Sequence, residues 1–550
     1  MLSRLALLAL LAKSASADWT WPNPKLDTIE DITQVQAGLF RSGVLDGVNP
    51  CGAFPQSGTG DPSRQASSEW LRTAFHDAIT HNAQAGTGGV DASLIWETDR
   101  SENLGGRSFN DTFSFMLNFY SIRASMSDMI ALAAYTAVRM CNGPPLVMRA
   151  GRIDATGPGP EGGVPEPKDN INKLLSKFAN AGFNQADMIQ ASRMSSIHGL
   201  VKLTDSIGGV HGQFFPEVTG NSSEANFAHF DTTAAIFDNK VATEYLDGTT
   251  KNPLVTAPAG NNSDFAVFSS DGNSTIKAMS EPPTFLSTCG SILQRMIDTV
   301  PSTVKLSEPI TPMKVKPTLF QLQLLSSGQL QLDGNIRVRS DDRGLSPQPT
   351  VKLMYADRTG KINSTKIDTT PYTFQGGTGS GFEAVFWFYQ IPSVILPNGI
   401  SHFNVSVTNT TTGHETIYDN NGNGYPVQDN IIFQSPQSCL VFPNGGGDPN
   451  LTLTAAVRDG MNLTNPSFNV VVKTPRANAV VPDLVVKTAP MKLLRSTSFG
   501  YTLYSASYTL PEASWSTTAD VWVEGPDGVK YEDAFKGTNA LGGDHQCQEF

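Results

Sequence analysis

The stretch Trp70-Leu-Arg72-Thr-Ala-Phe75-His76-Asp77 indicates both a helix and a chemistry. On a helix, Arg72 and His76 lie four residues apart and share one face. An imidazole beside a guanidinium fits heterolysis of a peroxide. The imidazole moves a proton from one oxygen to the other, and the guanidinium stabilises the negative charge on the departing oxygen. For this motif alone, a surface arginine beside a satisfied core histidine is an equally open interpretation.

The residues around this stretch, from about 31 to 300, have mainly helical periodicity. Apolar residues recur at helical spacing in 127–139, in 169–181 and in 282–300. In the second of these segments, Asp169 is the expected N-cap and Gly182 the expected stop.

After residue 300 the apolar period changes to two, which is typical of half-buried strands. The alternating segments are Phe320–Leu324, Gln329–Leu332, Asn335–Arg339, Phe403–Val407, Leu451–Thr454, Phe468–Val472 and Val521–Val523. Residues 319–550 are enough for two sandwiches of about 100 residues each. The sequence therefore predicts a multidomain fold, mainly α-helical at first and all-β afterwards.

The predicted domains are a leader at 1–17, a helical domain at 18–300 and β-sandwich-like domains at 319–437 and 438–550. A proline-rich linker at 301–318 joins the helical and β regions, which are expected to fold separately. Cys439 and Cys547 bracket the last domain and could staple its ends. The β region is interpreted as a structural or adhesive appendage, with a carbohydrate-binding role as the alternative.

Composition and the N-terminus point to export. The chain has 550 residues and a formal charge of -12, which argues against nucleic acid and anionic membranes as partners. Arg4, a short apolar run and a small-residue site ending at Ala17 are typical of a signal peptide. Nine glycosylation sequons fit a secreted glycoprotein: Asn110, Asn221, Asn261, Asn273, Asn363, Asn404, Asn409, Asn450 and Asn462.

Several further motifs follow the Arg72–His76 stretch in order: Gly88-Gly-Val-Asp-Ala-Ser93, Ser127-Asp-Met-Ile-Ala-Leu-Ala-Ala134, Gly151-Arg-Ile-Asp154 and Val164-Pro-Glu-Pro167. With them, the region 30–300 resembles the secreted haem peroxidases of plants and fungi, most closely the fungal type. The resemblance implies one haem b per chain, with Arg72 and His76 on its distal side and Phe75, Pro165 and Pro167 close to it.

The resemblance also assigns supporting residues. Glu97 and Asn103 match the residues that hold the distal imidazole in the right tautomer, and Asp264 matches the proximal aspartate. Cys51 and Cys141 match a disulfide of fungal peroxidases, while Cys289 is left with no assigned partner.

Up to two calcium ions are expected. Asp77, Asp91 and Ser93 supply hard oxygens, and Gly89 supplies a backbone carbonyl where a side chain would crowd. A second set matches the family's proximal calcium loop by residue type and spacing: Asp231, Thr233, Ile236 (through its carbonyl) and Asp238. For each aspartate, a helix cap or a turn is the structural alternative.

The proximal histidine segment departs from the family pattern. Counting forward from Met188 places the ligand at Ser195 or Ser196, and counting back from His211 places it at Asp205. His198 and His211 are the candidate ligands, and the alternative is that the ligand is absent. The segment 192–206 could also come from a misread splice junction.

The expected function is a secreted, monomeric haem peroxidase, active in extracellular oxidation or the response to oxidative stress. It would reduce hydrogen peroxide and oxidise small organic donors in one-electron steps. The alternative is a haem-free or inactive peroxidase-like protein that contacts a cell wall or polysaccharide through its β domains.

Overall fold

The computed structural model describes most of the chain, with the backbone alone for 192–198. The described residues are 19–51, 65–103, 107–198, 230–233, 235–363, 365–444, 446–541 and 547–550. The leader 1–17, the sequon at Asn221, Asp205, His211 and the side chains of Ser195, Ser196 and His198 lie outside them.

Helices concentrate in the first half of the chain. They are α1 Pro24–Gln34, α2 Ala66–Ala78, α3 Ser108–Met116, α4 Met126–Met140, α5 Ile171–Asn180, α6 Gln185–His198, α7 Lys240–Asp247, α8 Pro253–Thr256, α9 Ser263–Ser269, α10 Ser274–Ala278 and α11 Pro282–Ile297. Among the described residues, no helix is long and apolar enough to cross a membrane.

Helix α4 packs against α2 in the centre of the helical core, where its alanines allow close approach. The Ser125 side chain caps its N-terminus by accepting a hydrogen bond from the Asp128 backbone. Asp154 accepts further hydrogen bonds from the Met126 and Ser127 backbone amides, at 3.0 and 2.8 Å. The motif 151–154 is therefore built onto the start of α4.

The first sandwich follows the helical region. Its strands, with one contributed from the N-terminal region, are β1 Ala37–Gly38, β2 Val315–Leu324, β3 Leu330–Arg339, β4 Thr350–Ala356, β5 Ile367–Asp368, β6 Thr370–Pro371, β7 Thr378–Ser380, β8 Val385–Leu396, β9 His402–Thr408, β10 Glu415–Tyr418 and β11 Tyr425–Pro426. One sheet has the order β1-β7-β8-β3-β2, with β6 beside β8, and the other β10-β9-β4-β5, with β11 beside β9.

The second sandwich completes the chain. Its strands are β12 Ile431–Phe433, β13 Cys439–Val441, β14 Asn450–Arg458, β15 Thr464–Thr474, β16 Asp483–Pro490, β17 Lys492–Ser496, β18 Tyr501–Thr509, β19 Thr518–Glu524 and β20 Lys530–Gly537. The sheet orders are β12-β14-β18-β17, with β13 beside β14, and β16-β15-β19-β20. The fold class is thus as predicted.

The details of several elements differ from the prediction. Asn170, and not Asp169, caps α5, because its side chain accepts from the Lys173 backbone amide. The segments predicted as separate strands at 329–332 and 335–339 form one strand, β3, with a register shift near Gly334. β12 precedes the predicted boundary at 437 but pairs with β14 of the second sandwich.

The predicted linker, 301–318, is tied to both regions. The backbone amides of Ser302, Ser307 and Ile310 donate to carbonyls of the helical region at 2.8–2.9 Å, and β2 already begins at Val315. Prolines interrupt this segment, but these three hydrogen bonds hold it against the helical region. The division into domains at the predicted boundaries stays a proposal.

The helical and β regions also share a sheet. β1 pairs with β7, and Gly38 has φ +78° with room for no side chain, since a Cβ there would lie 2.5 Å from the Thr378 carbonyl oxygen. Val481 of the second sandwich is buried in the helical core. The expectation that the regions fold separately is therefore not supported by this arrangement.

Both expected disulfides are present. Cys51 is bonded to Cys141, which joins the segment before α2 to the end of α4. Cys439 is bonded to Cys547 across the second sandwich. Cys289 is buried in α11 and belongs to neither disulfide.

Candidate active site

Helix α2 places Arg72 and His76 side by side, as the spacing predicts. Both side chains are completely buried, and Arg72 Nε lies 3.3 Å from His76 Nε2. A guanidinium can only donate, so it donates to the lone pair of Nε2. Arg72 is therefore not the surface arginine that the alternative interpretation of this motif assumed.

Asn103 fixes the protonation of the imidazole. Its Nδ2 donates to the backbone carbonyl of Glu97 at 3.0 Å, which turns its Oδ1 towards His76 Nδ1 at 2.7 Å. Because an amide oxygen only accepts, Nδ1 carries the proton and Nε2 is left as the proton acceptor. Glu97 takes part through its backbone.

Two neighbours of this pair have no local signal in the sequence. Ser108 Oγ accepts from Arg72 Nη1 at 2.8 Å, and the Phe109 ring lies 4.3 Å from the guanidinium carbon and 5.0 Å from the imidazole centroid. Both belong to α3, more than thirty residues beyond Arg72 in sequence. Only the tertiary fold brings them to the site.

Acidic side chains hold the segment around Pro165 and Pro167. Glu97 Oε1 accepts from the Gly159 amide at 2.6 Å, and the carboxylate of Glu102 accepts from the amides of Gly162 and Val164 at 2.9 and 3.1 Å. Both prolines are buried. Phe75 lines a small apolar cavity that Ala191 of α6 also lines.

The first candidate calcium set is brought together. Asp77 accepts from the amides of Ala92 and Leu94 at 2.8 and 3.2 Å, and Asp91 accepts from the Ser93 amide at 3.0 Å. Gly89 has φ +106°, and a Cβ there would lie 2.7 Å from the Thr299 carbonyl oxygen, so a side chain would indeed crowd.

The charges of this set call for a cation. Burial first, and the Asp91 carboxylate next, raise the pKa of Asp77 well above its usual range. The Ser93 hydroxyl is buried without a well-formed hydrogen bond among the described residues. Hard oxygens in this state suit calcium. Among the described residues, no three or more His, Cys, Asp or Glu side chains form a group that could hold a metal ion.

Three members of the second calcium set also meet. Thr233 Oγ1 donates to Asp238 at 3.0 Å, and the Thr233 amide donates to Asp231 at 2.8 Å. Burial, followed by the carboxylates of Asp238 and Glu244, raises the pKa of Asp231 to about 6. Glu244, which the sequence did not single out, adds a third acid beside this loop. The Ile236 side chain is 46% exposed and points away from the core.

The proximal side is described in part. Asp264, in the first turn of α9, is buried, and its Oδ2 accepts from Asn252 Nδ2 at 2.9 Å. Asn252 also caps α8. In the sequence, the Asn-Pro dipeptide at 252–253 indicates only a turn and does not indicate the contact with Asp264.

Comparisons with known proteins decide the family. A family model described as peroxidase matches residues 56–278. The chain is 38% identical over 532 residues to a WSC domain-containing protein of Arthroderma benhamiae, which covers 95% of this chain and 68% of that relative. It is 37% identical over 139 residues to manganese peroxidase 2 of Phlebia radiata, covering 24% of this chain and 35% of that enzyme. The chain contains a peroxidase-family domain at residues 56–278. A third relative is versatile peroxidase VPS1 of Pleurotus eryngii, 31% identical over 191 residues, or 33% of this chain and 47% of that protein.

Peroxidase family membership implies haem, and the described residues fit its distal side. A guanidinium that donates and an imidazole whose Nε2 accepts are buried together on one face of α2, an arrangement suited to peroxide, and the Phe75 ring lies 6.1 Å from the imidazole centroid. Asp264 is a buried carboxylate whose Oδ2 accepts from Asn252 Nδ2. The candidate ligands themselves, His198 and His211, lie outside the described side chains.

Proposed function

We propose that this chain is a secreted haem peroxidase that reduces hydrogen peroxide and oxidises small organic donors in one-electron steps. One observation carries the proposal: Arg72 and His76 are buried side by side, and Asn103 sets the ring so that Nε2 accepts a proton. The alternative interpretation of a surface arginine beside a core histidine does not fit the complete burial of Arg72.

The residues divide the work of peroxide cleavage. His76 Nε2 takes a proton from the near oxygen of the peroxide and returns it to the far oxygen, which leaves as water. Arg72 stabilises the negative charge on that departing oxygen. Overall, hydrogen peroxide takes up two electrons and two protons to give two water molecules, and two donor molecules lose one electron each.

A bound haem b would supply the iron that passes electrons from the donors to peroxide. Phe75, Pro165 and Pro167 would contact it on the described side, and Asp264 would accept a hydrogen bond from the ligating imidazole, which makes that imidazole more basic. His198 and His211 remain the proposed alternatives for the ligand.

Calcium would complete the scaffold. An ion held by Asp77, Gly89, Asp91 and Ser93 would neutralise two buried carboxylates and fix the end of α2 that carries His76. A second ion at Asp231, Thr233, Asp238 and the Ile236 carbonyl would do the same for the loop before α7.

Localisation and partners extend the proposal. We propose an extracellular, monomeric glycoprotein, and its two disulfides suit the oxidising compartment that an extracellular location implies. We also propose contact with cell-wall polysaccharide through the β region, supported by an open cleft in the first sandwich that is lined by aromatic and polar side chains.

The test is an absorption spectrum for the Soret band, followed by peroxide turnover with a dye. His76→Ala should keep the Soret band and slow the reaction with peroxide by at least about 10²–10⁴-fold. His402→Ala, in the first sandwich, should react as the parent does. Equal rates for parent and His76→Ala would remove the distal assignment.

The same spectrum separates the proposal from the haem-free alternative. A purified parent chain that shows no Soret band after reconstitution, yet binds polysaccharide, would instead be a peroxidase-like interaction protein.

A further inference from the structure

A cleft of about 370 Å³ opens between the two sheets of the first sandwich. Val338 and Trp387, which pair across β3 and β8, line one side, and Val407 of β9 and Tyr418 of β10 line the other. This volume lies within the range of about 300–1,000 Å³ typical of small-molecule sites.

The two aromatic residues of the cleft are only partly buried. Trp387 and Tyr418 pack against the sandwich core on one side and line the cleft with the rest of their surface. An aromatic face is electron-rich, so it attracts the polarised C–H groups on the flat side of a sugar ring. The cleft thus offers an apolar platform from each sheet.

Charged groups of both signs surround this platform. Lys314 and Arg339 supply two cations, and Asp341 and Asp342 supply two carboxylates. Lys314 Nζ donates to the Arg339 carbonyl at 2.9 Å and pairs with Asp341, while Ser340 Oγ donates to Asp342 at 2.8 Å. These contacts hold the polar groups in place before any ligand arrives, which lowers the entropic cost of binding.

We propose that this cleft binds a neutral oligosaccharide, with Trp387 and Tyr418 as stacking platforms and the charged groups as partners for hydroxyls. The inference rests on the proposed polysaccharide contact and names its site. A purely apolar ligand would desolvate four charges without replacing their hydrogen bonds. An anionic chain would gain little in the cleft, because the two cations there are balanced by two carboxylates, and the protein as a whole has a net charge of -12. A neutral ligand rich in hydroxyls therefore fits best.

The full chain is tested by calorimetry with cellohexaose, laminarihexaose and N-acetylated chitohexaose, and with hexagalacturonate as the anionic counterpart. We expect at least one neutral hexamer to bind, and Trp387→Ala to weaken that binding about tenfold or more. Asp341→Asn should also weaken it. The Asp341 side chain is 79% exposed, so its substitution should not disturb folding, and Asp341→Asn still tests the cleft if Trp387→Ala fails to fold.

Trp515→Ala is the matched control. Trp515 is 43% exposed on the second sandwich, where it contacts Phe442, and its loss should leave binding unchanged. If Trp387→Ala and Asp341→Asn both bind the hexamer as tightly as the parent does, the cleft is not the binding site, although the proposed polysaccharide contact still holds. If the parent chain binds no neutral hexamer, both the cleft site and the polysaccharide contact are overturned. If it binds hexagalacturonate equally well, the proposal that the ligand is neutral is overturned. The assay contains no peroxide, so its result is independent of the proposed enzymatic activity.

Discussion

Glu30 couples the helical region to the first sandwich. Its carboxylate accepts from Arg337 of β3 and, at 2.9 Å, from Lys316 Nζ of β2, and all three side chains are buried. Burial alone would raise the pKa of Glu30, but the charges of Arg337 and Lys316 outweigh it and lower this pKa to about 2. Removing the charge of Glu30 should therefore destabilise the junction.

The magnitude follows from the shift. A pKa that falls from 4.5 to about 2 on folding corresponds to about 3 kcal/mol of stabilisation of the ionised form. Loss of one partner of a buried pair typically costs about 3–5 kcal/mol, because the other charge remains buried. Glu30→Gln should therefore lower the free energy of unfolding by about 3 kcal/mol at neutral pH.

The pH dependence has a definite sign. Since folding lowers the pKa of Glu30, its contribution is fully present above pH 4.5 and is lost as the pH falls towards 2. The difference in stability between the parent and Glu30→Gln should therefore be largest at neutral pH and shrink below pH 4.5.

Scanning calorimetry of the parent and Glu30→Gln from pH 7 to pH 3 measures this difference. Glu383→Gln is the matched control, because Glu383 pairs with Arg139 between the same two regions but is 41% exposed. An exposed pair contributes no more than about 1 kcal/mol. If both variants melt with the parent at every pH, the reasoning about the buried cluster is refuted.

Three further outcomes are expected. A chain ending at residue 300 should be insoluble or melt well below the parent in circular dichroism, because it lacks the partners of Glu30 and β1; a parent-like melt would show that the helical region folds alone. Calcium removal with EGTA should lower the melting temperature of the parent by more than that of Asp91→Asn, which keeps only the second candidate site, whereas an equal response in both would argue against an ion at Asp91. For the haem ligand, loss of Soret absorbance only in His198→Ala, or only in His211→Ala, identifies that residue; if the parent binds no haem, the ligand is absent from this chain.

The elements that the sequence predicts well are those with a local pattern. The four-residue spacing of Arg72 and His76 places both on one face of α2, and apolar residues at every second position in 468–472 and 521–523 correctly predict two strands. Such patterns report on the face that each element buries, so they hold whatever the tertiary arrangement is.

The features that the sequence did not predict depend on distant partners. β1 is a strand of two residues and has no periodicity, and it exists because β7 lies beside it. Ser108 and Phe109 reach Arg72 only once α3 packs on α2. The linker prediction relied on proline content, which does not show that the amides of 302, 307 and 310 have acceptors on the helical region.

The second sandwich contacts the segment that carries Glu97. Its Val480 amide donates to the Ile95 carbonyl at 3.0 Å, and the Arg476 guanidinium lies 5.4 Å from the Trp96 ring. Ile95 and Trp96 lie between Ser93 of the candidate calcium set and Glu97, whose carbonyl orients Asn103 and, through it, His76. Arg476 also donates to the Tyr120 hydroxyl at 3.2 Å, which ties the same β segment to the loop between α3 and α4. These contacts join the β region to the segment that carries Ser93 and Glu97, so a change in the β region can reach the proposed distal side through that segment.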